Sequence, residues 1–380
     1  MLFPCGLPFP TAFYLILYVL TFALHQAFMH YVLAGSLYVA WTMAFPGTSK
    51  NQGELARSEQ PLAAVLRDWM PFLLSAAITA GVAPLLFIQI VYQRQFYSAN
   101  LLLFWRWMTV VPVLIVAFYL LYLVKSSIMN SWPRALRAAV AVATAGCFVF
   151  VGFCWTVNYL IGISESKWPE IYQTGQMPFF ASTVLSRMAV WIGGSFATMT
   201  AIVAWQLFQQ QKRNIDRNLS VEIQTLSSLT FGGLAVLFAA GLMAIFESTA
   251  STRQAVLGLG AFPYLFLSLA GIAAQVGGWV AQRRLSRLRG QWLTVISSGA
   301  LLTLLGISFT REAVRSNLVD LTSQYEKHAE AAKVGGFAVF LIFTVLVTGV
   351  IGWCLWIVRQ GLLRTESAAR EGDASTPKYD

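Results

Sequence analysis

Charge is what this 380-residue chain has least of: 11% of its residues are Asp, Glu, Lys or Arg, against about 25% in an ordinary soluble protein. Histidine is limited to three residues and cysteine to four. So little charge excludes a soluble enzyme or a disordered chain, and four cysteines do not make a secreted disulfide scaffold. Cys147 and Cys154 stand seven apart on one apolar segment, about 10 Å along one helix face and too far for a disulfide. No metal-binding spacing occurs among the cysteines. The chain has no phosphate-cradling Gly-Lys-Ser/Thr loop, which excludes ATP hydrolysis by the chain itself. No nucleophile elbow or zinc motif stands out. Ionisable residues inside the apolar runs are few, and that argues against a proton pump or a carrier of charged solutes.

Apolar residues make up 57% of the sequence, with 13 Trp, 13 Tyr and 27 Phe. They fall into nine segments, roughly 11–44, 70–92, 101–124, 135–163, 186–210, 224–249, 259–282, 291–310 and 335–358. Each is about as long as a bilayer-crossing helix. None alternates as a barrel strand would, so the expected fold is an all-α polytopic membrane protein of nine transmembrane helices. The first segment reads as a long or tilted helix entered from Pro4, Pro8 and Pro10 rather than as a cleaved signal peptide. Alternate loops carry 17 and 9 of the 26 basic residues, which predicts the amino terminus outside and the carboxyl terminus in the cytoplasm. Residues 1–360 form one transmembrane domain and 361–380 a polar, disordered cytoplasmic tail. The net charge of +10 requires no nucleic acid. Arg283, Arg284, Arg287 and Arg289 form a cytoplasmic cluster suited to anionic lipid, with an acidic protein partner as the alternative.

Two of the three histidines lie in the first segment, His25 and His30. Imidazole in lipid is either a haem-iron ligand or a hydrogen-bonding partner for a neighbouring helix. Five residues correspond to about 140° around a helix and 7.5 Å along it. One helix therefore cannot present both to opposite faces of one haem, and no other span holds a histidine. Any haem here is five-coordinate, takes a Met from another helix (Met70, Met108, Met188, Met199 or Met243), or takes a ligand from a partner chain. His328 sits in the charged run Tyr325 to Glu330 and reads as part of a solvated helix face.

Nine spans, an outer amino terminus and a first-helix histidine resemble subunit I of the cytochrome bd quinol oxidases. The nearer likeness is to divergent relatives that stand as membrane subunits beside c-type cytochromes. Leu24, His25 and Met29, the stretch Thr79 to Phe87 around Gly81 and Pro84, and the stretch Ser186 to Trp191 carry the resemblance. It implies a subunit of a respiratory electron-transfer complex in the bacterial inner membrane, binding haem b through His25, with His30 and Met29 nearby. Electrons would pass to or from a cytochrome partner, possible oxidoreductase chemistry in which this chain is one subunit. The departures are specific. No histidine stands near Val190 and Trp191, where the oxidases open their fifth helix with a haem ligand. The signature near the end of the penultimate span is reduced to Glu312 and Arg315, and no quinol-binding loop is evident. Direct quinol oxidation is not expected.

Outer-side charges form a polar rim: Arg187 before the fifth segment, Glu247 at the end of the sixth, and Arg311, Glu312 and Arg315 after the eighth. They read either as a clamp for haem propionates or as an interfacial ion-pair network. Two other functions remain open: a cofactor-free scaffold subunit, and a transporter of a neutral solute lined by Pro84, Gln89, Asn158 and Gln275.

Overall fold

The computed structural model describes residues 2–45, 61–179, 181–213 and 218–336, with Ile342, Val345, Leu346, Gly349, Trp353 and Trp356 beyond them. Every regular element among the described residues is helical. In chain order they are α1 (Phe9–Ala44), α2 (Pro61–Val91), α3 (Gln93–Leu103), α4 (Trp105–Met108), α5 (Val110–Lys125), α6 (Arg134–Gly162), α7 (Trp168–Thr174), α8 (Ser182–Arg213), α9 (Ser220–Phe246), α10 (Ala250–Leu257), α11 (Phe262–Arg283), α12 (Gly290–Leu318) and α13 (Tyr325–Ala331). Eight stretches are long and apolar enough to cross a membrane: α1, α2, α4 with α5, α6, α8, α9, α11 and α12. The ninth expected segment, 335–358, lies mostly outside the described residues. The tail 361–380 lies wholly outside them. Ile342, Val345, Leu346, Trp353 and Trp356 are helical and exposed.

The chain divides into two compact units, Met1–Ser323 and Gln324–Asp380. In the first, α1 packs against α2, α6, α8 and α12, which makes it the central post. Hydrogen bonds assign the helix ends. At one end the Arg134 guanidinium donates to the carbonyls of Met43 and Ala44, and Lys125 pairs with Asp68. At the other, Phe3 N–H donates to Gly260 O and Ser186 to Glu247. Up-and-down helices follow, each satisfying its own backbone as lipid requires.

Two helix pairs approach through glycine. A Cβ added at Gly193 would lie 2.6 Å from Gly233 O, and one at Gly271 would lie 2.6 Å from Gly299 O. These close the α8–α9 and α11–α12 contacts. Between α3 and α4, Phe104 adopts φ 46°, a conformation that costs a non-glycine residue about 1–3 kcal/mol. It turns the chain from α3 into the span that begins at Trp105.

Two expectations need correction. The eighth segment does not stop at residue 310: α12 continues to Leu318 and carries Arg311, Glu312 and Arg315 on the helix, with Glu312 and Arg315 each 1% exposed. Charge ordinarily ends a span, but here aromatic rings and a carboxylate receive it. In the second unit His328 is fully buried, not solvated. Glu326, Lys327 and Glu330 are exposed while Gln324 and His328 are buried, so α13 sorts its charged run onto one face.

Candidate functional site

His25 and His30 leave α1 toward different helices, as their angular separation requires. His25 Nδ1 lies 2.8 Å from the Ala77 carbonyl on α2. A carbonyl only accepts, so Nδ1 carries the proton and Nε2 keeps its lone pair. Gly81, one turn further along α2, makes room: a Cβ there would stand 2.9 Å from Nδ1 and 3.0 Å from Cε1 of His25. His30 is buried against α8, with Nδ1 3.1 Å from Thr198 Oγ1. That hydroxyl already donates to Gly194 O at 3.1 Å, so His30 donates from Nδ1 too. Met29 is half-buried on the same helix.

One turn from His25 toward the Glu247 end, the ring of Phe22 lies 6.4 Å from the imidazole and 6.3 Å from Trp191. The Arg311 guanidinium lies over the Phe22 ring at 4.5 Å. Arg311 also covers Tyr159 at 4.7 Å and donates to Tyr18 Oη at 3.2 Å. Arg187 and Arg315 lie 5.2 and 5.4 Å from the centre of the same Tyr159 ring. Arg315 reaches Tyr92 as well, at 3.7 Å. Three guanidinium groups thus converge on one phenol ring, where the face of each aromatic attracts positive charge.

The carboxylate in this cluster is Glu312, whose Oε1 is 3.5 Å from Arg311 Nε. Tyr92 interacts with Glu312, and among the described residues Arg311 Nη1, Arg315 Nε and Arg315 Nη1 donate no hydrogen bond. Buried groups of this kind are normally satisfied. Three cations against one carboxylate leave a formal excess of two positive charges. The rim read from sequence as either a haem-propionate clamp or an ion-pair network holds the Arg311–Glu312 ion pair among cation–aromatic contacts.

Glu247 stands apart: its described partner is Ser186, which donates to Oε2 at 3.1 Å. A cleft of about 40 Å³ opens among Phe22, Trp155, Tyr159, Arg187, Trp191 and Arg311. Met188 flanks it, accepting a hydrogen bond from Thr156 at 3.3 Å. Of the methionines considered as a second iron ligand, Met108 and Met243 are 71% and 54% exposed and face outward. Met70 packs at Gly35, toward the opposite end of α1.

The residues that sequence reasoning missed are aromatic: Tyr18, Phe22, Tyr92, Trp155, Tyr159 and Trp191. Their signal is a spacing. Tyr18 and Phe22, Trp155 and Tyr159, Arg187 and Trp191, and Arg311 and Arg315 are four i, i+4 pairs, each placing two side chains on one helix face. The polar residues read as a transport path each have a partner on another helix. Gln89 accepts from Tyr97 and Asn158 donates to Asn100, both partners on α3, while Gln275 donates to Thr303 on α12.

Comparison with protein-family models, curated proteins and solved structures gives no match. Whether haem b suits these residues therefore rests on the geometry. The donor set fits, because an imidazole that donates Nδ1–H to a backbone carbonyl presents Nε2 in the tautomer a metal requires. The spare guanidinium donors fit carboxylates. The cleft as it stands takes about one or two water molecules, so a macrocycle enters only if Phe22, Trp155 and Trp191 turn aside.

Proposed function

We propose that this chain is an integral-membrane subunit of a bacterial respiratory electron-transfer complex that binds haem b. His25 would hold it through Nε2. The observation that carries the reading is the 2.8 Å contact from His25 Nδ1 to Ala77 O, which fixes the tautomer and orientation of the ring. When bound, the haem supplies a one-electron couple. The chain's own residues hold and tune it. Gly81 keeps space for the imidazole, and Arg187, Arg311 and Arg315 offer cations to two carboxylates, while the aromatic wall excludes water. In this reading the Glu247 end faces outward, toward a cytochrome partner, and the protein resides in the cytoplasmic membrane. Met29 and His30 belong to the surround and not to the iron.

A second reading, a cofactor-free scaffold subunit, is favoured by one observation: aromatic rings already fill the space beside Arg311 and leave about 40 Å³. A reduced-minus-oxidised visible spectrum with a pyridine haemochrome assay separates the two. Wild-type protein purified with its partners is expected to show a b-type signal that His25→Ala loses. A folded, colourless complex overturns the haem reading and leaves the scaffold.

A further inference from the structure

The loop joining α11 to α12, residues 284–289, is held as firmly as a helix end although its side chains are mostly exposed. Gln282, fully buried in the last turn of α11, donates Nε2 to Arg287 O at 2.8 Å and accepts from Arg289 N–H at 3.1 Å. Gln211 of α8 grips the next residue from the other side. Leu288 N–H donates to its Oε1 at 2.9 Å, and its Nε2 donates to Leu288 O at 3.1 Å. Leu219 N–H donates to Ser286 O at 3.2 Å, and the Leu288 side chain is buried beneath the loop. Two glutamine side chains thus do for this backbone what a neighbouring strand would do.

That frame presents Arg284, Arg287 and Arg289, all exposed. None of the three forms an ion pair among the described residues. Arg283 differs, being engaged with Ser228 at 3.3 Å and with the Phe231 ring at 5.6 Å. The loop lies where two apolar helices end, which is the depth of lipid phosphates. Guanidinium forks match phosphate oxygens, and a backbone already ordered pays little entropy on binding.

We infer that residues 284–289 form a built headgroup site for anionic phospholipid, with Arg284, Arg287 and Arg289 on the phosphodiester and Gln211 and Gln282 as positioning residues. A merely basic surface would depend on its charge alone. A built site depends also on the glutamines, which carry none.

The test equilibrates purified full-length protein with mixed micelles of equal phosphatidylglycerol and phosphatidylcholine, then quantifies retained lipid by mass spectrometry. Wild type is expected to retain phosphatidylglycerol in at least about fivefold excess, as roughly one effective arginine contact provides. Replacing Arg284, Arg287 and Arg289 together by Gln alters only exposed side chains and is expected to bring the ratio near one. Gln211→Ala with Gln282→Ala, all arginines kept, is expected to remove most of the preference. Equal retention by wild type overturns the proposal. So does a glutamine variant as selective as wild type, which reduces the loop to diffuse charge. Displacement of the lipid by millimolar inorganic phosphate also overturns it, since the site would then be one for free anion.

Discussion

The Arg315 guanidinium lies 3.7 Å from the centre of the Tyr92 ring, with both side chains fully enclosed. A cation buried at that depth in an apolar helix is costly unless something receives it. Tyr92 and Tyr159 receive it through their faces, and Glu312 supplies the one carboxylate of the cluster. This arrangement lets α12 run seven residues past Arg311, where its charges begin.

Removing that carboxylate exposes the imbalance. Glu312→Gln leaves Arg311 and Arg315 without a counter-charge and is expected to cost about 3–5 kcal/mol, the usual loss when one partner of a buried ionic group is deleted. Replacing Glu312 by Gln and Arg315 by Met together removes a cation as well and is expected to cost less than the single change. Thermal melting of the detergent-solubilised protein decides it. If the single variant melts with wild type, the cluster is not held by charge.

Gly81→Ala tests the seat of His25. The new methyl would stand 2.9 Å from Nδ1, so the imidazole must shift and its bond to Ala77 O must lengthen. Overpacking of this kind costs about 1–3 kcal/mol. In a haem-bearing preparation the b-type signal is expected to weaken or move in potential, whereas Gly146→Ala, where an added methyl meets nothing within 4 Å, leaves both unchanged. A Gly81→Ala protein with wild-type spectrum and melting point would show that His25 is not the haem ligand.

Much of this fold is legible in the chain because lipid imposes length and apolarity, and eight of the nine segments return as helices with shifted ends. The divergence of His25 and His30 is legible too, since it follows from helix geometry alone. The cluster is not. Tyr18, Trp155 and Trp191 look like any aromatic residues of a membrane helix, and nothing local says that their faces meet. Arg311, Glu312 and Arg315 look like the end of a span because the rings that accommodate them come from α1, α6 and the end of α2, far away in sequence.

Just past α12, Asp320 accepts from Thr322 twice, from the backbone N–H at 2.9 Å and from the hydroxyl at 2.5 Å. These bonds hold its carboxyl below the ordinary value of 3.8. A carboxyl lowered by folding contributes stability at pH above its unfolded value and loses it as pH falls through the folded one. The turn is therefore expected to loosen below about pH 4. Thr322→Val deletes the hydroxyl bond and keeps the backbone one, so it should weaken this pH dependence by moving Asp320 back toward the ordinary range. Hydrogen exchange of a peptide covering 316–323, corrected for intrinsic rates, reads the difference. Identical acid profiles for the two proteins speak against it.

The α11–α12 contact yields a prediction with its own internal control. A methyl at Gly271 would meet Gly299 O and Thr303 N at 2.6 Å, both backbone atoms that cannot rotate away. Gly271→Ala must therefore part the two helices, and with them the Gln275 to Thr303 hydrogen bond of 2.9 Å. The expected loss is about 2–3 kcal/mol, the upper range for overpacking. Gly277→Ala lies six residues along the same helix, where a methyl meets nothing within 4 Å. There helix propensity alone acts, and a gain of up to about 1 kcal/mol is expected. Two identical chemical changes on one helix should thus move the melting temperature in opposite directions. If both raise it, α11 and α12 do not approach as closely as the glycine contact requires.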